Sequence, residues 1–332
     1  MKVIALEEHF MSAAVNEEYT KIFSEHASPA ARIRAAFVAN YIEKDNSLLE
    51  VGEKRLSYMD RSGVDIQVIG YGNNNPMELP AVHAIPLCRQ ANDELAAHIA
   101  KNPERFYGMA SLPVADPKAA AEELDRAVKE LGFKGAILNG TYNGRFFDDE
   151  EFFPIFEKAA ELDVPVYFHP GEINEQVAGY YYSGSWSDSV ASILANQGFG
   201  WHVDSGIHVI RMILSGIFDK LPDLTIISGH WGELVPYFLE RLDRQLPPGL
   251  TGLKQEFSKY YREHVYVTPS GMLYNAPFRL CLSELGADRI LWAGDYPYLR
   301  PENAREYLES ADISQEDKEK IAYINAARLL KL

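Results

Sequence analysis

The chain has 332 residues, enough for two average domains or one large α/β barrel, and its composition of 47% hydrophobic and 24% charged residues is typical of globular proteins. Its 32 basic and 48 acidic residues give a net charge of −16, which argues against nucleic acid or an anionic membrane as the main partner. The sequence contains no run of about 18 apolar residues, so no membrane span is predicted.

The cysteines and the start of the chain indicate the compartment. Cys88 and Cys281 are far apart and show no CxxC spacing, so a disulfide framework is not expected and a reducing compartment fits. The apolar run after Lys2 is too short for a signal peptide. We therefore expect a cytoplasmic protein.

Short apolar runs rich in β-branched residues predict strands along the chain. Each run is continuous rather than strictly alternating, which is typical of parallel strands that are covered on both faces. In chain order the runs span residues 3–9, 65–72, 105–114, 135–140, 165–171, 224–232, 265–271 and 289–297.

Amphipathic segments between the apolar runs predict helices. The segment 116–132 has Asp116 as an N-cap and Gly132 as its end. The segments 148–163 and 232–246 show the same kind of pattern. Helices therefore alternate with the strands through most of the chain.

This alternation predicts an α/β fold, a single (β/α)₈ TIM barrel domain over residues 1–332. A Rossmann-type sheet would carry a GxGxxG turn after its first strand, and this sequence has none. Two insertions are expected, residues 11–60 after the first strand and 172–203 after the fifth. Both would lie over the active face as lids or partner contacts, and the aromatic stretch 180–189 would line a pocket.

Metal-binding side chains stand at the ends of four predicted strands. Glu7 and His9 end the first strand, and a spacing of two points both side chains to one side. The ends of the fifth, sixth and eighth strands carry His169, His230 and Asp295. All strands of a parallel barrel end at one face, so these groups are predicted to converge. Buried carboxylates and imidazoles need partners, and a metal ion is a common one.

Structural roles are the alternative for each of these residues taken singly. A lone histidine at a strand end is commonly a packing residue, and Asp295 could cap a helix. The occurrence of ligand-type residues at the ends of four separate strands favours one shared site. Glu8, between Glu7 and His9, is predicted to point to the opposite side of the first strand. His208 lies in an apolar helix and is expected to be a buried hydrogen-bonding residue. The remaining histidines show no partner pattern and are interpreted as surface or packing residues: His26, His83, His98, His202 and His264.

The segments ALEEHF, YFHPGE, SGHWGE and AGDYP, in this order, resemble the amidohydrolase superfamily. More specifically, they resemble its metal-dependent nonoxidative decarboxylases, which act on γ-resorcylate, 2,3-dihydroxybenzoate and 5-carboxyvanillate. The resemblance extends over essentially the whole chain, including the closing INAARLLKL. The ExH pair on the first strand, where the superfamily commonly has HxH, points to this branch.

The resemblance implies a role for each site residue. It implies four ligands of one divalent metal ion, Glu7, His9, His169 and Asp295. Two carboxylates and two imidazoles suit Zn²⁺ or Mn²⁺. It further implies that His230 lies beside the metal ion and the substrate, that Glu233 orients His230, and that Asp295 protonates the ring carbon. The substrate contacts that it implies are Asn139, Arg241 and Tyr296.

The resulting prediction is a carboxy-lyase that converts an ortho-hydroxybenzoate to the phenol and CO₂, reversibly in principle. The alternative is a metal-dependent hydrolase of the same superfamily, which would open a lactone or an amide through metal-bound water. A barrel retained only for binding is disfavoured because all the expected ligands are present. Asn139 equally fits a turn, Arg241 equally fits an exposed helix cation, and Glu233 also fits an acid in the first turn of a helix, where the helix dipole favours it. The resemblance also implies a homodimer or homotetramer, and it leaves the ring substituents of the substrate open.

Overall fold

Parallel strands form the centre of the structure, a computed structural model that describes residues 1–26, 32 and 46–332. Each strand overlaps one of the predicted apolar runs, and most are shorter than the run. The strands are β1 (Ile4–Phe10), β2 (Ile66–Tyr71), β3 (Phe106–Gly108), β4 (Ala136–Asn139), β5 (Val166–His169), β6 (Ile226–Ser228), β7 (Val265–Val267) and β8 (Trp292–Ala293).

The strands form two four-stranded sheets that close into a barrel. Their orders are β3-β2-β1-β8 and β4-β5-β6-β7, and all neighbours are parallel. Parallel bridges join the two sheets at both seams, between Ala110 and Ala136 and between Val267 and Ile290. At the second seam the backbone N–H of Leu291 donates to the Val267 carbonyl at 2.9 Å. The chain therefore forms the predicted (β/α)₈ barrel.

Helices connect the strands and cover the outside of the barrel. The α-helices are Ala13–His26, Glu53–Ser62, Ala81–Ile99, Pro117–Lys129, Phe153–Leu162, Glu175–Tyr181, Asp188–Ala195, Gly200–Leu214, Ile217–Lys220, Val235–Gln245, Pro248–Thr251, Phe257–His264, Asn275–Leu285, Ala304–Ser310, Gln315–Glu319 and Asn325–Leu330. Shorter 3₁₀ turns occur at Ser47–Leu49, Pro76–Glu78, Glu150–Phe152 and Ala287–Arg289, and Lys320–Ile324 is a π-helix. Among the helices described, none combines the length and the apolarity needed to cross a bilayer.

The predicted helices are confirmed with small changes at their ends. The carboxylate of Asp116 caps its helix, accepting from the backbone N–H of Lys118 at 3.2 Å and of Ala119 at 3.1 Å. The helix predicted over 232–246 begins only at Val235, since Gly232 and the two residues after it have left-handed backbone angles.

Apolar side chains fill the barrel interior up to the carboxyl ends of the strands. These buried residues include Ile4, Leu6, Ile66, Val68, Ile137, Tyr167, Ile227, Tyr266 and Leu291. Side chains two apart on a strand share a face, so the next inward positions on β4 and β5 belong to Asn139 and His169. The interior thus changes from apolar to polar at the face where barrel enzymes hold their sites.

Both predicted insertions contain helices. The insertion after β5 contains the helices Glu175–Tyr181 and Asp188–Ala195, and it leads into Gly200–Leu214. Tyr180 and Tyr181 are 84% and 75% exposed, so their rings face solvent rather than the predicted pocket. In the insertion after β1, the described part contains the helices Ala13–His26 and Glu53–Ser62, and residues 27–31 and 33–45 lie outside the described residues.

Candidate active site

Four ligand-type side chains meet at the carboxyl end of the barrel. One ligand atom from each of Glu7, His9, His169 and Asp295 lies within 4.8 Å of all the others. His9 Nε2 is 3.2 Å from Asp295 Oδ1, and His169 Nε2 is 3.5 Å from Glu7 Oε1. The structure therefore brings together the four residues that the resemblance implies as metal ligands.

A β-bulge aims Glu7 into this cluster. The pairing of β1 with β2 shifts between Ala5 and Glu8, so that two residues of β1 lie opposite Val68 alone. Glu7 has a φ of 62°, which is uncommon for a residue other than glycine. The simple alternation expected from the sequence is therefore broken at Glu7, and both Leu6 and Glu7 point towards the barrel interior.

The carboxylate of Glu7 has one satisfied and one free oxygen. Its Oε2 accepts hydrogen bonds from the hydroxyls of Tyr167 and Ser270, and from Thr268 at 3.3 Å. Its Oε1 has no hydrogen-bond donor in the described part of the chain and faces His169. Burial raises the pKa of Glu7, while the neighbouring His230 acts to lower it. The three hydroxyls hold the carboxylate so that Oε1 is left for a cation.

The donor set fits a divalent metal ion. Within the described residues, Glu7 Oε1, His9 Nε2 and Asp295 Oδ1 are buried without a hydrogen-bond partner. The Nδ1–H of His169 donates to the Pro170 carbonyl at 2.7 Å, which leaves Nε2 as a lone-pair donor. Burial holds the pKa of His169 well below its usual range, so the ring is neutral. Each unpaired buried polar atom costs about 1–3 kcal/mol, and a bound cation would remove that cost.

Glu8 lies on the other side of β1, as predicted, and holds the loop that carries Asp295. Its Oε1 accepts from the backbone N–H of Gly294 at 2.8 Å. Its Oε2 accepts from the N–H of Tyr296 at 3.1 Å and from the side chain of Gln67 at 3.1 Å. Burial raises the pKa of Glu8 to about 8, although the hydrogen bonds from the backbone N–H groups of Gly294 and Tyr296 act to lower it. The two backbone bonds flank Asp295 and fix its position next to His9.

Tyr296 packs away from the cluster. Its ring stacks on Tyr58 with centroids 4.3 Å apart, and the guanidinium of Arg55 lies 4.8 Å from its centre. Its predicted substrate contact stays a prediction that this packing does not favour. Tyr298 contacts the cluster instead, with its ring centroid 5.1 Å from that of His9. The sequence interpretation missed Tyr298, although it lies in the same short loop.

A second group of polar side chains adjoins the first. His230 and Glu233 lie in the turn after β6, where both have left-handed φ values of 45° and 52°. The Nδ1–H of His230 donates to Glu233 Oε1 at 2.7 Å. Burial lowers the pKa of His230, but the carboxylates of Glu233 and Glu7 outweigh it and raise the pKa to about 10. His230 also lies beside the first cluster, with Nδ1 3.9 Å from Glu7 Oε1.

His202 belongs to this second group, so its interpretation as a surface or packing residue without a partner is wrong. Its Nδ1 is 2.8 Å from Glu233 Oε2, and its ring centroid is 4.5 Å from that of His230. The helix Gly200–Leu214 brings it there from the insertion after β5. A contact between residues 31 positions apart leaves no local spacing pattern in the sequence.

The other two predicted substrate contacts lie in different environments. The side-chain amide of Asn139 is 3.2 Å from His169 Nδ1 and accepts from Asn75 at 3.1 Å, so it is part of the site wall. Arg241 is exposed on the helix Val235–Gln245. Its contact with a substrate stays a prediction.

The remaining histidines lie elsewhere. His208 is buried and its Nε2 accepts from the backbone N–H of Phe147 at 2.9 Å, which confirms the predicted hydrogen-bonding role. His264 stacks on Phe218 with centroids 4.4 Å apart, as a packing residue does. His83 is exposed, His98 is half-buried, and the side chain of His26 lies outside the described residues.

Comparison with known proteins decides the family. A sequence model of the family Amidohydro_2, described as amidohydrolase, matches residues 41–332. The chain belongs to the amidohydrolase family. The resemblance in the sequence is thereby confirmed.

The relatives of this amidohydrolase include aryl decarboxylases. It is 35% identical to decarboxylase orsB of Emericella nidulans over 99% of this chain and 97% of that one. It is 33% identical to the γ-resorcylate decarboxylase of Polaromonas sp. over 99% and 98% of the two chains. A crystal structure of 5-carboxyvanillate decarboxylase from Novosphingobium aromaticivorans, with manganese and a nitrobenzoic acid, has a TM-score of 0.90 at 32% identity and matches 100% of this chain and 96% of that one.

Proposed function

We propose that this amidohydrolase is a metal-dependent nonoxidative decarboxylase that converts an ortho-hydroxylated aromatic acid to the corresponding phenol and CO₂. The observation that carries the proposal is the set of free ligand atoms at the carboxyl end of the barrel, contributed by Glu7, His9, His169 and Asp295. Relatives matched over nearly their whole length are named decarboxylases, which favours this function over the hydrolase alternative.

We assign the metal site to the same four residues. Two carboxylate oxygens and two imidazole nitrogens suit Zn²⁺ or Mn²⁺, and the related 5-carboxyvanillate decarboxylase holds manganese. When bound, the ion would supply the positive charge that attracts the substrate carboxylate and its adjacent phenolic oxygen. That charge also offsets the repulsion between an anionic substrate and a chain of net charge −16.

Asp295 is the proposed proton donor. Its carboxyl group transfers a proton to the ring carbon that bears the carboxylate, and this carbon then loses CO₂. The electrons of the broken C–C bond return to the ring, which regains its aromaticity, and the transferred proton remains as the new C–H. The backbone bonds from Gly294 and Tyr296 to Glu8 hold the loop from which Asp295 acts.

The other proposed roles concern binding and orientation. His230, oriented by Glu233 through the 2.7 Å bond, presents its imidazole to the substrate. Asn139 contacts the substrate from the end of β4, where its side-chain oxygen already accepts from the side chain of Asn75. Arg241 completes the proposed contacts on the strength of the family resemblance, which also implies a contact by Tyr296 that its packing against Tyr58 does not favour.

The direct test is turnover of a panel of hydroxybenzoates by the purified protein loaded with Mn²⁺ or Zn²⁺. The expected products are CO₂ and the matching phenol from at least one ortho-hydroxylated member, with activity lost on chelation and restored by the metal. A panel of lactones and amides serves as the matched comparison. Hydrolysis of these without any decarboxylation would contradict the proposal and support the hydrolase.

We also propose a homodimer or homotetramer in the cytoplasm. The assembly is supported by the exposed aromatic side chains of the insertion after β5, Tyr180, Tyr181 and Trp186. The compartment is supported by the buried free thiols of Cys88 and Cys281. Light scattering coupled to size exclusion, and cell fractionation, would test these two proposals.

A further inference from the structure

A chain of hydrogen bonds runs from the insertion after β5 to the active site. The indole N–H of Trp201 lies 3.1 Å from His202 Nε2, and His202 Nδ1 lies 2.8 Å from Glu233 Oε2. The other oxygen of Glu233 accepts from His230 Nδ1 at 2.7 Å. Four side chains from two separate segments are thus connected in one line.

The donor and the acceptor of each hydrogen bond in this series follow from the indole group of Trp201 at one end. An indole N–H can only donate, so Nε2 of His202 must accept and carries no proton. The proton of the neutral His202 ring is therefore on Nδ1, which donates to Glu233. Both carboxylate oxygens of Glu233 then accept from imidazole N–H groups, and the His202 ring contributes no charge that would compete for the carboxylate.

The backbone around Glu233 is packed closely enough to keep this geometry. Glu233 is buried and has a left-handed φ of 52°. The helix Gly200–Leu214 lies directly against it, since a Cβ atom at Gly206 would come within 2.3 Å of the Glu233 carbonyl oxygen. The close approach places His202 at the level of the carboxylate.

We propose that His202 is a positioning residue for His230 that acts through Glu233, with its tautomer set by Trp201. Without His202, Oε2 of Glu233 would lose its donor and the carboxylate would be free to rotate away from His230. With it, Nδ1 of His230 is held by Glu233, and Nε2 is the ring nitrogen left for the substrate. The proposal rests on the proposed function insofar as His230 acts on the substrate.

A second metal site is the competing explanation for the same residues. Ligand atoms of His202, His230 and Glu233 lie within 4.8 Å of one another. In contrast to the first cluster, however, both oxygens of Glu233 and both Nδ1 atoms are already in hydrogen bonds of 2.7 and 2.8 Å. A metal ion bound to these atoms would have to displace the Nδ1 protons of His202 and His230, which form the two hydrogen bonds to Glu233.

The kinetic test compares two substitutions of His202. Leu fills a similar volume without a donor, whereas Asn retains an N–H donor near the position of Nδ1. We expect His202→Leu to lower kcat on the order of 10-fold with little change in KM or metal content, and His202→Asn to recover most of the loss. His83→Leu, at an exposed histidine, is the matched control and should leave kcat unchanged.

A spectroscopic test does not depend on turnover. Nitrogen NMR of protein with labelled histidine rings should show His202 as a neutral ring protonated at Nδ1, with its signals assigned by their loss in His202→Asn. Trp201→Phe removes the indole donor and should change the His202 signals and weaken kcat by less than His202→Leu. If the wild-type protein showed no decarboxylation, the proposed function would fail, but the His202 signals would still test the hydrogen bonds from Trp201 to His230.

Three results would overturn the proposal. One is a His202 ring protonated at Nε2 in the wild-type protein. Another is a folded His202→Leu variant with wild-type kcat and unchanged His230 signals. The third is two bound metal ions per chain, one of which is lost in His202→Asn. If His202→Leu did not fold, the Trp201→Phe and His202→Asn measurements would decide.

Discussion

Two groups of histidines and carboxylates stand side by side at the carboxyl end of this barrel, and they are built differently. In the first, Glu7 Oε1, His9 Nε2 and Asp295 Oδ1 are buried without hydrogen-bond partners among the residues described. In the second, both oxygens of Glu233 accept from histidines. The difference teaches that similar residues serve different chemistry. Ligand atoms that are left free indicate a cation site, and ligand atoms that are all bonded indicate a network that orients a side chain.

Asp295→Asn should have the largest effect on turnover. The amide cannot release a proton to the ring carbon, so kcat should fall by about 10²- to 10⁴-fold while part of the metal affinity remains. Steady-state decarboxylation assays and metal analysis of the same preparation would measure both. The control is Asp288→Asn, an exposed carboxylate in the turn before β8. Full activity of Asp295→Asn would exclude this residue as the acid.

Glu7→Gln tests the free oxygen of the first group. The neutral amide removes one negative charge from the cluster and turns an acceptor into a donor on one side, so the affinity for Mn²⁺ should fall by more than about 100-fold. Calorimetric titration of the metal-free protein would measure it. The corresponding variant of the second group, Glu233→Gln, should retain metal binding. Equal losses in the two variants would erase the distinction between the groups.

Glu8→Gln tests the support behind the first group. The amide can accept at one atom only, so one of the backbone N–H groups of Gly294 and Tyr296 loses its acceptor and the loop around Asp295 loosens. We expect metal affinity to fall by about 10- to 100-fold. Glu18→Gln, on the exposed surface of the helix Ala13–His26, is the control. An unchanged affinity would mean that Asp295 is held without Glu8.

His208 sharpens the comparison because it is a buried histidine outside both groups. Burial, with Arg211 adding to it, lowers the pKa of His208 from 6.5 to about 3 in the folded protein. The unfolded chain therefore binds a proton below pH 6.5 that the folded chain does not, and stability falls as the pH falls. Between pH 7 and pH 5 this histidine should cost about 2 kcal/mol of the free energy of unfolding.

Denaturant unfolding of the wild type and of His208→Gln at the two pH values would measure this contribution. The difference between the two proteins should change by about the same 2 kcal/mol. A constant difference would show that His208 takes up its proton in the folded protein as readily as in the unfolded chain.

The sequence was sufficient to predict the barrel because its strands are local apolar runs that need no knowledge of their neighbours. It was also sufficient to predict that Glu7, His169 and Asp295 come together, because the ends of parallel strands share one face of a barrel. That residues 1–332 form a single domain stays a prediction.

The details that the sequence did not predict depend on contacts between distant segments. The bulge at Glu7 arises from its register with β2, and the role of His202 arises from how the helix Gly200–Leu214 packs against the turn after β6. The position of Tyr298, rather than Tyr296, next to His9 is of the same kind, because the ring of Tyr296 packs against Tyr58 and Arg55.

Anomalous diffraction at the manganese edge, from crystals of the Mn²⁺-loaded protein, tests the central claim most directly. We predict one peak per chain, within coordination distance of Glu7, His9, His169 and Asp295. A peak among His202, His230 and Glu233 instead, or no peak at full metal loading, would contradict the account.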